Sequence, residues 1–251
     1  MSEHKVHYSQ FFVAALPPQV IFLMHWAELT TLVKASKDLT LDGPGGEIIG
    51  NTTAEVCFIG LAAHFEAYCK NQFASLANIY PPLIERLCEK RIGIMVSLHD
   101  VYRLSRKLNY QIGTLLAEDF DFGNAKTINS LFKDLMGITP FSKSEAKTYS
   151  EFLGDRNLLV HNAGIYTHKY FRQKFQKEFD DELSADSLYV DKTVYLHWSR
   201  FIAQIVLKIN RTCMKKLKAI IKNDGAVISD SQSKAIESYS RSPGFASRGA
   251  T

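Results

Sequence analysis

Apolar residues return at helical spacing along most of the chain. After Pro17-Pro18, the positions Val20, Phe22, Leu23, Trp26, Leu29 and Val33 predict a first helix over about 17–37, with proline in its first turn. Over 52–76, capped by Thr52 or Thr53, apolar residues such as Val56, Phe58, Leu61, Phe65 and Phe73 cover most of the circumference. A helix apolar nearly all round belongs at the centre of a bundle. Pro81-Pro82 ends it, 83–90 starts another, and Ile94, Leu98, Val101 and Tyr102 favour helix within 91–116. A short helix over 127–136 is closed by Gly137 and Pro140, and Ser142 or Ser144, with Glu145, caps the next. Asp191 caps the last long helix, whose seam runs from Val194 and Trp198 to Ile205 and Ile209.

Between these lie weaker segments. Residues 39–51, with Gly43-Pro44-Gly45-Gly46, read as a loop, 120–126 as a turn and 187–190 as a brief extended piece. The charged stretch 167–186 carries Tyr170, Phe171, Phe175 and Phe179, which suggests an excursion that docks on the bundle or on a partner. The expectation is an all-α helical bundle with loop excursions. Its domain spans 17–222, behind an arm at 1–16 and before a serine-rich, disordered tail at 223–251.

Composition narrows the function classes. Of 251 residues 46% are hydrophobic and 22% charged, the balance of a globular protein. The net charge of +4 tolerates a polyanionic partner without the density of a nucleic-acid-coating protein. Four cysteines with no paired spacing read as small buried hydrophobes in a reducing cytoplasm. Residues 6–27 lack Asp, Glu, Lys and Arg, yet Pro17-Pro18 splits them, leaving a block before the prolines too short for a membrane span and a core-facing amphipathic helix after them. The glycines at 43–46 lack the Lys-Ser/Thr of a phosphate loop, and Asp121-Phe122-Gly123 lacks every companion motif of a kinase. Arg103, Arg106 and Lys107, beside Tyr102 and Tyr110, make a basic cluster that fits a solvated face or an RNA-contacting one.

The candidate chemistry lies in Asp155-Arg156-Asn157-Leu158-Leu159-Val160-His161-Asn162-Ala163-Gly164. Arg156 interrupts an apolar stripe of Tyr149, Phe152, Leu153 and Val160. Taking Arg156 as zero, Asn157 lies near 100° and His161 near 140° around the helix, a shared polar sector able to hold an anion. Asn157 and His161 are also i,i+4 neighbours, spaced for a hydrogen bond that would fix the imidazole tautomer. A plainer reading pairs Arg156 with Glu151 or Asp155 and leaves His161 to cap the helix end. Glu66 and Lys70 on the second helix form either a surface pair or a support in which Glu66 orients Arg156 or His161.

The Arg-Asn-x-x-x-His run followed by Asn-x-Gly resembles the Arg-x4-6-His motif of the HEPN superfamily, most similarly its RiboL-PSP-like and MAE-type bacterial groups. The His64-Phe65-Glu66-Ala67-Tyr68-Cys69-Lys70 run also looks like theirs, and the likeness covers roughly 52–222. The resemblance implies a HEPN-like bundle acting as a metal-independent endoribonuclease. In that family two motif helices face each other across a homodimer and build a composite site. Carried over, Arg156 binds phosphate, His161 serves as acid or base, Asn157 orients the histidine, and Glu66 and Asn162 are supporting residues. No cofactor or metal is called for, and RNA supplies its own 2′-OH nucleophile. Implied partners are RNA, with tRNA a candidate, a second copy, and an antitoxin or defence-system protein. The alternative is a non-catalytic module of a defence complex that binds a nucleotide, RNA or protein.

Overall fold

The computed structural model describes residues 16–43, 46–91, 93–103, 108–175 and 187–241, so the expected N-terminal arm lies almost wholly outside them. The described chain is mostly helical, in the order α1 (Pro18–Ala35), β1 (Leu39–Gly43), β2 (Gly46–Gly50), α2 (Thr52–Ile79), α3 (Pro82–Lys90), α4 (Leu98–Arg103) and α5 (Leu108–Glu118). There follow α6 (Ala125–Met136), α7 (Lys143–Asn162), α8 (His168–Phe175), α9 (Lys192–Asn223) and α10 (Asp230–Ser240). No helix among the described residues is long and apolar enough to cross a membrane.

α2 is the central element, as its all-round apolar pattern demands. Phe58, Leu61, Phe65, Cys69, Phe73 and Leu76 are fully buried, and α1, α5, α7 and α9 all pack against it. Asn51, not Thr52 or Thr53, caps it. The amide oxygen accepts from the Ala54 N–H at 3.0 Å while Nδ2 donates to Asp38 at 2.7 Å and Ser36 at 2.8 Å, a double duty no threonine hydroxyl performs. α5 closes on α2 at Gly113, where a Cβ would stand 2.3 Å from the Ala74 carbonyl oxygen. Only glycine permits that approach.

Two segments depart from the expected secondary structure. The segment read as a loop at 39–51 contains an antiparallel hairpin, Leu39 opposite Gly50 and Gly43 opposite Gly46. Thr40, Ile48 and Ile49 supply strand-favouring residues on either side of the Gly43-Pro44-Gly45-Gly46 run. The tail read as disordered from 223 holds α10, started by a Ser229/Gln232 capping box and anchored by Ile236 at 6% exposure. Buried amides finish the docking: Gln19 and Asn210 each donate to the Tyr239 carbonyl at 3.0 Å. A composition average conceals one apolar anchor and one cap. Residues 242–251 lie outside the described set, as do 104–107 of the basic cluster. Cys57, Cys69 and Cys213 are buried, whereas Cys88 is exposed, contrary to its reading as core.

At the α1–α2 seam the His25 and His64 rings stack, centroids 4.2 Å apart at 13°, with His25 Nδ1 3.5 Å from Glu28. Burial holds the His64 pKa below the usual imidazole value, the field of His25 adds to this and Glu28 partly offsets it. The folded state therefore binds a proton at this ring less readily than the unfolded chain does. Stability is full above the ordinary imidazole pKa of about 6.5 and falls as the pH drops through it. Denaturant midpoints at about pH 7.5 and about pH 5.5 are expected to show this fall in the parent and less of it in His64→Asn.

Candidate functional site

The motif helix α7 is set locally before it is packed. Ser142 accepts from the Glu145 N–H at 3.3 Å, Glu145 accepts from the Ser142 N–H at 2.7 Å, and this capping box starts the helix. Glu145 also receives the Lys208 ammonium of α9, and although burial raises its carboxyl pKa, the Lys208 and Ser142 hydrogen bonds bring it below the usual value. The apolar stripe then meets α2 and α9: the Phe152 ring lies 4.8 Å from Phe58 and 5.4 Å from Trp198, and Tyr149 lies 5.1 Å from Phe65. α7 therefore runs antiparallel to both neighbours.

Ala163 and Gly164 stop it with left-handed backbone, φ 49° and 82°, and their N–H groups turn back to the Leu158 carbonyl. Gly164 cannot be replaced cheaply. A Cβ there would meet the Leu188 carbonyl oxygen at 2.8 Å, because Leu188 donates its own N–H to Gly164 at 2.8 Å and Ile165 bridges to Ser187. The Asn-x-Gly ending thus docks the end of α7 to the strand-like piece leading into α9. Gly164→Val is expected to lower stability by about 2–4 kcal/mol, from forbidden φ plus the collision, as a drop in thermal midpoint.

On this frame the candidate residues occupy different depths. Arg156 is half-buried and donates from Nη1 to the Asn157 amide oxygen at 2.9 Å, while its Nε is buried without a partner. Asn157, His161 and Asn162 are exposed. Asn157 thus bonds to Arg156, and no hydrogen bond joins it to His161, correcting the expected i,i+4 pair. An i,i+1 guanidinium reaches the amide first.

Asp155 also departs from the surface pairing considered for it. It is 3% exposed, and one carboxylate oxygen accepts from the Tyr170 hydroxyl at 2.7 Å and from Lys174 at 2.5 Å. Burial, then the Asp155 bond, pushes the Tyr170 hydroxyl well above its ordinary pKa. Asp155 is consequently a clamp that fixes α8 to the motif helix. Tyr170 and Phe171 are buried, so within its described part the aromatic excursion docks on its own chain.

Glu66 is exposed on α2, and among the described residues no ion pair joins it to Arg156, His161 or Lys70. Both Glu66 and Arg156 nonetheless act on one buried group. Burial raises the Tyr149 hydroxyl far above its ordinary pKa, Cys69 and Glu66 add to the rise, and Arg156 opposes it. Among the described residues no cluster of three or more His, Cys, Asp or Glu side chains converges to hold a metal ion. Two open cavities, of about 280 Å³ beside Lys218 and Ile236 and about 550 Å³ beside Arg91 and Phe120, lie away from the motif.

The polar sector is an open face of one chain: a fixed guanidinium with free donors, an amide beside it, and an exposed imidazole one turn further on. No protein-family model, curated protein or solved structure matches the chain.

Proposed function

We propose that the Arg156–Asn157–His161 face is the site of a HEPN-like, metal-independent endoribonuclease completed by a second copy of the chain. The observation that carries the reading is Arg156 itself. A cation stands on an apolar stripe, half-buried, with one donor on Asn157 and its Nε unsatisfied, an arrangement that costs stability and suits an anionic guest.

In the proposed reaction one His161 takes the proton of the ribose 2′-OH. The 2′-oxygen attacks phosphorus, the bond to the 5′-oxygen breaks, and that oxygen leaves with a proton from the His161 of the second copy. The products are a 2′,3′-cyclic phosphate and a 5′-hydroxyl. Arg156 forks onto the phosphoryl oxygens and stabilises the developing dianion without competing for the proton. Acid and base must stand on opposite sides of the phosphorus, which one histidine cannot do; the open face of a single chain is consistent with a composite site. A toxin or phage-defence role, with an antitoxin or defence-system protein as regulator, belongs to the same proposal.

The test is cleavage of RNA in EDTA by purified protein, with product ends identified and activity followed against protein concentration. Cyclic-phosphate ends and activity that rises with dimer formation support the reading. The open site also favours a second reading, a binding module without turnover. Stoichiometric RNA or nucleotide binding with no cleavage at any concentration would select it.

A further inference from the structure

Helix α9 is 32 residues long and contains no aspartate or glutamate, although the chain carries 26 acidic residues against 30 Lys and Arg. Five of its eight cations share one face, with Lys192, Lys208 and Lys216 off it. Arg200, Arg211, Lys215, Lys218 and Lys222, with Gln204 between them, are all exposed. At 100° per residue they fall within about 60° of arc, a straight stripe about 33 Å long at 1.5 Å per residue. The opposite face, including Ile202, Ile205, Ile209 and Cys213, is buried against the bundle.

Neighbours do not neutralise the stripe. Among the described residues no ion pair or hydrogen bond holds Arg200, Arg211, Lys215 or Lys222, and Lys218 lies in the field of Glu237. Like charges at i,i+4 repel by a few tenths of a kcal/mol per pair. The helix dipole favours Lys222 in the last turn but fades beyond it, so it offers nothing to Arg200, Arg211 or Lys215.

We infer that the exposed face of α9 is a track for the phosphate backbone of RNA. Arg211, Lys215, Lys218 and Lys222 follow one another about a helical turn apart, Arg200 stands about three turns before them, and with no acid on the helix itself the row complements a polymer with a repeating negative charge. A lipid surface fits less well, because the only large apolar side chain on the stripe is Leu207, at 38% exposure, and the apolar seam of α9 is spent on the core. The track also has a direction. α9 runs antiparallel to the motif helix, with Trp198 on Phe152 and Lys208 on Glu145, so its Arg200 end lies toward the Arg156 end of α7. The inference rests on the proposed ribonuclease reading for its choice of polyanion, whereas the cationic face stands without it.

The test uses full-length His161→Ala protein, a labelled single-stranded RNA of about 20 nucleotides and fluorescence anisotropy across salt. Five phosphate contacts give a slope of log K against log salt of about −3.5. Replacing Arg211, Lys215 and Lys218 together by glutamine is expected to flatten the slope by about 2 and weaken binding at least tenfold at about 0.1 M salt. Replacing Lys90, Lys126 and Lys143, exposed elsewhere, changes net charge equally and should leave the slope nearly as it was. Equal losses in the two triple variants would overturn the track, and so would unchanged RNA binding or an effect confined to anionic vesicles. Stripe-dependent binding by protein that never cleaves RNA would uphold the track and reject the nuclease; cleavage with no stripe dependence would do the reverse.

Discussion

Arg156→Met protein is expected to melt higher than the parent and to leave RNA intact. The guanidinium stands on the line of Tyr149, Phe152, Leu153 and Val160, with Nε buried and unpartnered and Nη1 on Asn157. An unsatisfied buried donor costs about 1–3 kcal/mol, and methionine keeps the unbranched stem without it. A gain of about 1 kcal/mol raises the thermal midpoint by about 2–4 °C in a chain of this size. Cleavage should fall by about 100- to 1,000-fold, the scale for losing one preorganised donor to a developing oxyanion. His161→Ala separates the two effects, because His161 is exposed. Its stability should stay within about 0.5 kcal/mol while cleavage falls by about 100- to 10,000-fold. An arginine kept only for structure gives the opposite pattern: a lower midpoint in Arg156→Met, with cleavage untouched in both variants.

The start of the motif helix was legible because a capping box is local, with Ser142 and Glu145 satisfying each other three residues apart. The centrality of α2 was legible too, since an apolar circumference has nowhere else to go. What escaped depends on distant partners. Asp155 reads as a surface acid until Tyr170 and Lys174, 15 and 19 residues on, bring it inside. α10 has one buried apolar residue and is held by Gln19, 220 residues away in sequence. Both therefore look like polar surface in any window. At the candidate site the sequence supplied residue types and their helical sector, but not their depths. Half-burial of Arg156 against exposure of His161 follows from how α7 is turned by Phe152 and Tyr149.

That turning makes Phe152→Ala the more damaging substitution for the fold. Phe152 is fully buried and meets Phe58, Trp198 and Tyr149 at centroid distances of 4.8, 5.4 and 6.0 Å, so α2, α7 and α9 share this one ring. Truncating a core phenylalanine costs about 3–5 kcal/mol in lost transfer energy and residual cavity. At about 2–4 °C per kcal/mol the midpoint should fall by about 6–20 °C. Phe152→Leu keeps most of the volume and should lose less than half as much. If Phe152 sets the roll of α7, the Leu variant will also cut RNA more slowly than its small stability loss explains, since a side-chain misplacement of about 1 Å costs orders of magnitude in rate. Single-turnover cleavage by folded Phe152→Leu protein, well below its midpoint, measures this. A parental rate would mean that the motif face holds its geometry independently of the core beneath it.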